Sequence, residues 1–501
     1  MPLKRNIIAN YASQVYVAVV GVVMVPVYLK YMGIEAYGLV GFFAMVQAWF
    51  QLLDFGLSPT FGREVAKYKA GATSAQILIM LLRLLEIIFG TIGMVIILAS
   101  WFAGSWVAHS WLKLENIAPS DVETSIMIVC VALCLRLISG IYRGGLLGFQ
   151  HQVTTSIVTV VMATLRAVMV VPVLIWVSNS ILMFFSFQLV VALVEVILLR
   201  IMLFRLLPVR KFGKFVWGQL KDPLKFGGGL AFLTWAWIVS SQADKLILSH
   251  MLPMHEYGEF ILATTIALGA LLCISPLQQA VLPQLIMLAE QKERGELVGL
   301  YVKTTILIAA LLSGVAGVMV AFPTQVLYVW TGDIKITAQA ADVLRWYAAG
   351  TGFMGLAGMN YTLQHAYGDL RLHIKGSVVS LLVLIPAVII STVHYGAVGA
   401  AAASAIINLI FLLCWTPVVH NKFLPEIRAT WLFRDVFPSL FIAALLYFVG
   451  QEITWPLTSR PIMLLILVAM VSGMIATSLY VHRETRQMIQ IIVRKICIRN
   501  V

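Results

Sequence analysis

Two short stretches organise the chain, and each is a turn between long apolar segments. They are Tyr31–Gly38, which reads YMGIEAYG, and His250–Gly258, which reads HMLPMHEYG. Both place an acidic residue shortly before a Tyr-Gly pair, and the two pairs lie 220 residues apart. The same offset brings two further pairs into register: Gly148 with Gly368, and Arg83 with Lys303. Several matches at one offset predict a duplicated unit, as in transporters built from repeated lobes.

Composition places the chain in the membrane. Its residues are 61% hydrophobic and 11% charged, whereas soluble domains carry roughly 25% charged residues. Lys4 and Arg5 precede a full-length span without a small-residue cleavage site, so we expect the first helix to be the insertion signal. The net charge of +13 lies mostly in loops between spans, which points to membrane topology rather than to nucleic acid.

Apolar segments predict about fourteen transmembrane helices and an all-α, polytopic fold. The predicted spans are 8–29, 38–57, 77–102, 124–149, 154–178, 181–204, 226–249, 259–284, 301–322, 341–365, 376–394, 398–419, 437–453 and 461–481. With the duplication, they form two pseudo-symmetric six-helix lobes and two additional helices. The predicted domains are a lobe at 1–204, a basic linker at 205–225, a second lobe at 226–419, two further helices within 420–481, and a basic tail at 482–501.

The distribution of Lys and Arg sets the orientation. With the N-terminus in the cytoplasm, cytoplasmic segments hold 23 of the 35 basic residues and external loops hold four. Both termini are therefore predicted to be cytoplasmic. The linker is interpreted first as a topology determinant that touches anionic lipid, with recruitment of a cytoplasmic partner as the alternative. The tail reads as a basic amphipathic helix on the inner membrane surface.

Catalytic signatures are missing from the sequence. It contains no GxxxxGK[ST] loop for ATP, no HExxH and no CxxC motif. Cys130 and Cys134 share a helix face, but no further Cys or His lies nearby to complete a metal site. The external loops are short, which argues against a membrane glycosyltransferase, ligase or polymerase. We therefore expect neither an enzyme nor a cofactor or metal site.

Ionisable residues inside the spans carry the functional signal. Each costs roughly 2.5–3.5 kcal/mol at a helix centre on insertion scales, so such residues usually face a wet cavity or a partner. The basic members outnumber the acidic ones, which predicts a cationic interior suited to an anionic cargo such as a diphosphate. The basic set is Arg83, Arg136, Arg143, Arg166, Arg200, Lys245, Lys303 and Arg345, and the acidic set is Asp54, Glu86, Glu195 and Asp244.

Structural roles compete with binding for several of these residues. Those near a membrane face, Arg83, Arg200, Lys303 and Arg345, can snorkel to water instead. Arg83 and Glu86 are spaced as a helical ion pair, and the adjacent Asp244 and Lys245 can neutralise other helices.

The central residues are the stronger candidates for binding. Arg136 and Arg143 share a helix face, and Arg136 and Arg166 lie too deep to snorkel. For these two, the alternative to cargo binding is a buried structural pair with Glu195.

Several short motifs of the chain resemble those of a known family. The motifs are Asn10, Pro26–Tyr28, Met32–Gly33, Glu35–Gly38, Leu53–Leu57, Ala243–Leu248 and Glu256–Gly258. They resemble bacterial polysaccharide and O-antigen flippases of the Wzx type, within the multidrug/oligosaccharidyl-lipid/polysaccharide exporter superfamily. The resemblance implies two six-helix lobes around a central cavity. It also implies an undecaprenyl-diphosphate-linked oligosaccharide as cargo, and H+ or Na+ as the coupling ion instead of ATP.

For this chain, the resemblance implies only a general pattern, in which cationic residues line the cavity. We assign substrate binding to Arg136, Arg143, Arg166, Lys245, Arg83 and Lys303. Coupling or charge pairing is assigned to Glu86, Glu195, Asp244 and Asp54.

The expected location is the bacterial inner membrane, within surface polysaccharide or lipopolysaccharide biosynthesis. The expected partners are the lipid-linked substrate, membrane lipids, and a polysaccharide polymerase with chain-length proteins. A cation-coupled multidrug exporter, a peptidoglycan-precursor flippase, and a scaffold without transport remain alternatives. The drug exporter would call for an acidic cavity.

Overall fold

The computed structural model describes residues 2–207, 238–239, 241–428, 430–452 and 459–482. This part of the chain is helical throughout, and its single β-bridge joins Lys113 to Pro253. The helices are α1 Pro2–Phe50, α2 Leu57–Lys69, α3 Ala75–Trp106, α4 Pro119–Gly148, α5 Gln152–Ala167, α6 Val170–Trp176, α7 Ile181–Leu206, α8 241–251, α9 Met254–Glu290, α10 Arg294–Ala321, α11 Pro323–Thr331, α12 Ile334–Ala366, α13 Arg371–Phe423, α14 Phe437–Gln451 and α15 Arg460–Val481.

Within the described residues, ten helical stretches are long and apolar enough to cross a membrane. They account for twelve of the predicted spans, because α1 and α13 each contain two, bent at Gly33 and at Gly396. The predicted span 341–365 lies within α12. Most of the predicted span 226–249 lies outside the described residues. The prediction of an all-α, polytopic membrane protein is confirmed.

The chain divides into two compact units, Met1–Gly258 and Glu259–Val501. The predicted lobe bounds remain predictions, and this division falls later in the chain than the predicted linker. One reason is that the start of α9 is bonded to the first unit, where the Met254 amide donates to the Lys113 carbonyl at 2.9 Å. The linker beyond Leu207 and the tail beyond His482 lie outside the described residues.

Glycines hold α2 tightly against α4. A Cβ on Gly144 would collide with the carbonyl of Ser58, and one on Gly148 would collide with the carbonyl of Gly62. Small residues allow helix backbones in a membrane protein to approach this closely. The contact fixes the C-terminal half of α4, the helix that carries Arg136 and Arg143.

The two quoted turns meet each other within the first unit. A Cβ on Gly38 would lie 2.7 Å from the carbonyl oxygen of Met254, and one on Gly258 would collide with the carbonyl of Ile34. Ile34 and Met254 are themselves 220 residues apart. The contact is therefore reciprocal, as expected when related segments meet about a local two-fold axis.

Farther along the chain, the spacing between matching positions of the two repeats changes from 220 to 218 residues. Gly148 is the last residue of α4, whereas Gly368 follows α12 with a φ of +67°. The residue that matches Gly368 in conformation is Gln150, with a φ of +65°. The same three backbone hydrogen bonds close α4 and α12 around these two residues. The pairing of Gly148 with Gly368 is thus wrong by two positions.

Candidate functional site

One buried carboxylate joins two arginines within the first unit. Glu195 on α7 lies 2.5 Å from Nη2 of Arg143 on α4 and 3.5 Å from Nη2 of Arg166 on α5. The Glu195 side chain is 3% exposed, whereas the side chains of Arg143 and Arg166 are 33% and 24% exposed. The carboxylate is therefore less accessible than the guanidinium groups of the two arginines.

Arg136 lies two helical turns before Arg143 on α4, and the side-chain amides of two glutamines hold its guanidinium. Its guanidinium donates to the side-chain oxygen of Gln47 on α1 and, at 3.5 Å, to that of Gln188 on α7. The Nε atom of Arg136 is buried and has no hydrogen-bond partner within the described residues. Neutral acceptors leave the charge of Arg136 uncompensated by direct contact, unlike that of Arg143.

A break between α5 and α6 shapes the site. Pro172 has no amide hydrogen to continue the ladder, and the helix is interrupted at Val168 and Met169. The carbonyl of Arg166 then accepts a side-chain hydrogen bond from Gln188 at 3.0 Å. The Nε of Arg166 donates to the carbonyl of Met162 at 3.2 Å. These bonds fix both the backbone and the side chain of Arg166.

The cluster formed by Arg136, Arg143, Arg166 and Glu195, termed here the arginine cluster, carries a formal charge of +2. Three arginines outnumber one glutamate, and Arg136 and Arg166 are close enough to repel each other. Guanidinium groups present paired N–H donors that match phosphate oxygens. The arrangement is chemically suited to an anion with several oxygens.

A second cluster combines one ion pair with a further arginine. Arg83 lies 2.8 Å from Glu86, and the Tyr142 hydroxyl donates to Glu86 at 2.7 Å. The guanidinium carbons of Arg83 and Arg200 lie 5.6 and 5.3 Å from the centre of the Phe204 ring. The predicted Arg83–Glu86 pair is present, and stacking on an aromatic ring stabilises both arginines further.

The remaining predicted residues make local contacts. Asp54 accepts hydrogen bonds from the amide and hydroxyl of Ser58, which caps the start of α2. The ammonium of Lys245 lies 3.9 Å from Asp244 and donates to the carbonyl of Ser241 at 3.0 Å. Lys303 is exposed and belongs to the second unit. None of the contacts given above connects Asp54, Asp244, Lys245 or Lys303 to the arginine cluster.

Two features of the site differ from the sequence reading. Glu195 contacts Arg143 and Arg166 directly, whereas the expected alternative paired it with Arg136 and Arg166. Gln188 was not anticipated, although it lies seven residues before Glu195 and so on the same helix face. That spacing is the signal from which Gln188 could have been found.

The first comparison with known proteins identifies a family. A family model described as "Polysaccharide biosynthesis protein" matches residues 3–289, which is more than half of the chain. Among proteins with curated descriptions, none matches the sequence significantly.

Solved transporter structures share the fold. A lipid II flippase MurJ in an inward closed conformation aligns with a TM-score of 0.72 at 15% identity, covering 97% of this chain and 99% of that one. An inward-facing multidrug resistance transporter of the MATE family aligns with a TM-score of 0.66 at 14% identity, covering 81% and 95%. A MOP superfamily transporter from Pyrococcus furiosus, described by the reverse polarity of its binding pocket, aligns with a TM-score of 0.55 at 13% identity, covering 84% and 95%.

Proposed function

Because this multi-pass membrane protein belongs to the polysaccharide biosynthesis protein family, we propose that it is a flippase for undecaprenyl-diphosphate-linked oligosaccharide. The cargo is an O-antigen or other surface polysaccharide repeat unit, moved from the inner to the outer leaflet of the bacterial inner membrane. One observation carries the proposal: three arginines share a site with one glutamate within the first unit. That excess of positive charge matches the diphosphate that joins the glycan to its lipid.

Binding would use the exposed arginines first. Arg143 and Arg166 have side chains that are 33% and 24% exposed, so their free N–H groups are available to phosphate oxygens. Arg136, held by Gln47 and Gln188, adds a fixed positive charge beside them. Guanidinium–phosphate contacts of this kind are charge-assisted and directional, which holds the head group in one orientation.

Transport would proceed by alternating access. The site opens inward, the arginines capture the diphosphate, the glycan passes through a wet cavity, and the lipid tail stays in the bilayer. An H+ or Na+ gradient supplies the energy. Both termini face the cytoplasm, where the substrate is assembled, and a polymerase with its chain-length proteins would receive the product outside.

Leaflet translocation in proteoliposomes tests this proposal. A lipid-linked oligosaccharide is placed in the inner leaflet, and its arrival outside is followed for wild type, Arg143→Ala and Arg166→Ala. Arg428→Ala is the matched control, because Arg428 is exposed and its side chain donates only to Asn421, at 3.4 Å, among the hydrogen bonds resolved. We expect transport to fall at least tenfold in the first two variants and to persist in the control. Equal transport in all four proteins would overturn the site assignment.

A parallel assay distinguishes the cargo. A peptidoglycan precursor linked to the same carrier shares the diphosphate but not the glycan, and the fold likeness to a lipid II flippase makes it the comparison to run. Preferential transport of the oligosaccharide lipid supports the proposal. Preferential transport of the precursor, or of a cationic drug, would replace it with the corresponding alternative.

A further inference from the structure

The second cluster of the first unit consists of Arg83, Glu86, Tyr142, Arg200 and Phe204, and the proposed transport mechanism does not use it. We propose that this group, termed here the Phe204 cluster, binds the phosphate of an anionic phospholipid at the lipid-facing surface of the first unit. Arg83 and Arg200 supply the donors, and Phe204 is the ring that both contact. The inference rests on these contacts alone and does not need the proposed cargo.

The charge of the Phe204 cluster is only partly paired. Both carboxylate oxygens of Glu86 are engaged, one by Arg83 at 2.8 Å and the other by the Tyr142 hydroxyl at 2.7 Å. Within the part of the chain that the structure describes, Arg200 makes no ion pair or hydrogen bond, and its guanidinium carbon lies 5.3 Å from the centre of the Phe204 ring. The cluster therefore has a formal charge of +1, which the single negative charge of a phosphodiester neutralises.

The side of α7 that carries Arg200 is apolar. Arg200 follows Leu193 by seven residues and Ile197 by three, so these residues share a helix face. Between residues 189 and 199, the exposed residues of α7 are Val190, Leu193, Val194 and Ile197. An exposed face without a polar side chain fits the acyl chains of a bilayer, whereas a wet cavity would call for polar residues.

Arg83 lies on a surface of the same kind on α3. Ile87 follows it by one helical turn and Met94 by three turns, and both are exposed on its side of the helix. Thr91 is the one polar residue exposed between residues 84 and 99, and its hydroxyl donates to the Ile87 carbonyl at 2.9 Å. Since α3 and α7 both pack on α4, their apolar faces come together at the Phe204 cluster.

The depth of the cluster matches the level of lipid head groups. Centred on a hydrocarbon core of about 30 Å, the 26 residues of α7 would extend about 4–5 Å beyond each surface of the core. Arg200 lies six residues before the end of α7, and hence about 4–5 Å below that surface. A guanidinium on its long side chain reaches a phosphate from this depth. Snorkelling to water would let two like charges move apart, whereas both arginines turn to one ring.

Lipid binding by the full-length protein tests the inference. Dioleoyl phosphatidylglycerol is titrated into the detergent-solubilised protein, and native mass spectrometry gives the Kd of the first bound lipid for wild type, Arg200→Gln and Phe204→Leu. Arg205→Gln is the matched control, because Arg205 is also exposed at the end of α7 and, among the described residues, makes no ion pair or ring contact. We expect the affinity to fall about fivefold or more in Arg200→Gln and about twofold or more in Phe204→Leu, since each loses part of the charged platform. The control should keep the affinity of wild type.

Two further ligands identify the source of the phosphate. Dioleoyl phosphatidylcholine has the same chains without a net charge, and wild type should bind it more weakly than phosphatidylglycerol. Farnesyl diphosphate, which carries the diphosphate of the proposed cargo without its glycan, is titrated calorimetrically. Arg200→Gln should bind it as wild type does, because the inference separates Arg83 and Arg200 from the cargo.

Several results would overturn the inference. They are equal phosphatidylglycerol affinity in wild type and Arg200→Gln, an equal loss in Arg205→Gln, and equal affinity of wild type for the two phospholipids. Weaker binding of farnesyl diphosphate by Arg200→Gln, with phosphatidylglycerol binding unchanged, would assign the Phe204 cluster to the cargo instead. Thermal unfolding confirms that each variant is folded. If Arg200→Gln does not fold, Phe204→Leu against Arg205→Gln decides the question by the same criterion.

Discussion

The interiors of the two compact units are polar in different ways. In the first, charged side chains meet: Glu195 joins Arg143 and Arg166. In the second, contacts between helices are made by neutral groups: the Tyr301 hydroxyl lies 3.0 Å from Nε2 of the fully buried His420, and Trp431 donates to the Thr305 hydroxyl at 3.1 Å. The buried Asp435 of this unit accepts a hydrogen bond from the adjacent Arg434 at 2.8 Å.

The helices of the second unit show that the charges are not needed for the fold. By chain order, α12 and α13 correspond to α4 and to α5 through α7. Residues 346–364 of α12 and 376–421 of α13 include no Asp, Glu, Lys or Arg. Comparable membrane helices therefore pack with neutral interiors. The charges of the first unit are better explained by an anion than by helix packing, since buried charges are expensive in a membrane.

The largest expected effect comes from giving the first unit a neutral interior in two stages. Arg143→Leu with Arg166→Leu leaves Glu195 buried and unpaired, and we expect a loss of about 3–5 kcal/mol in unfolding free energy together with the loss of transport. Adding Glu195→Leu should restore most of the stability and none of the transport. Thermal unfolding and leaflet translocation measure the two effects. A triple variant that still transports would show that the charges are structural after all.

The reciprocal turn contact gives the next largest effect. Gly38→Ala and Gly258→Ala each place a methyl group against a backbone carbonyl, of Met254 and of Ile34 respectively. We expect each to cost about 1–3 kcal/mol, since overpacking forces backbone shifts. The two losses should be similar because the contact is symmetric. Gly21→Ala is the control, since no atom of the described residues lies within 4 Å of its added methyl. Widely unequal losses in chemical unfolding would mean that the turns are not equivalent.

A neutral network should matter for stability and not for binding. Tyr301→Phe removes the hydroxyl that contacts His420, leaving a buried ring nitrogen without a partner, and we expect a cost of about 1–2 kcal/mol. Affinity for farnesyl diphosphate should stay within twofold of wild type. Calorimetry beside thermal unfolding checks both. A weakened affinity would place part of the binding site in the second unit and remove the contrast between the interiors.

These comparisons also show what sequence could and could not predict. Long apolar segments predict the helices, because a bilayer requires about twenty apolar residues for each crossing. The depth of Arg136, Arg143 and Arg166 in their spans marks them as unusual. Which arginine meets Glu195 depends on the rotation and packing of separate helices. Arg143 and Glu195 are 52 residues apart in sequence, and no local pattern specifies that contact.

The sequence likewise predicts only part of the bend at Val168 and Met169. Pro172 indicates a break within span 154–178, since it removes one backbone donor. The break frees the carbonyl of Arg166, and Gln188 on α7 satisfies it. The partner of a freed carbonyl is set by whichever helix packs beside it, so Gln188 could be inferred only from its spacing to Glu195.

The smallest expected effect concerns an exposed pair in the second unit, and it sharpens the contrast with Glu195. Hydrogen bonds from Arg294, at 2.8 and 2.9 Å, lower the pKa of Glu426 below its usual 4.5. A carboxylate with a lowered folded-state pKa stabilises the protein above its unfolded-state pKa, and that stabilisation disappears as the pH falls through the folded value. Glu426→Gln should therefore remove stability at pH 7, by less than about 1 kcal/mol because the pair is exposed to solvent, and should change little at pH 3. Unfolding measured at both pH values checks the sign. A larger loss at pH 3 than at pH 7 would contradict it.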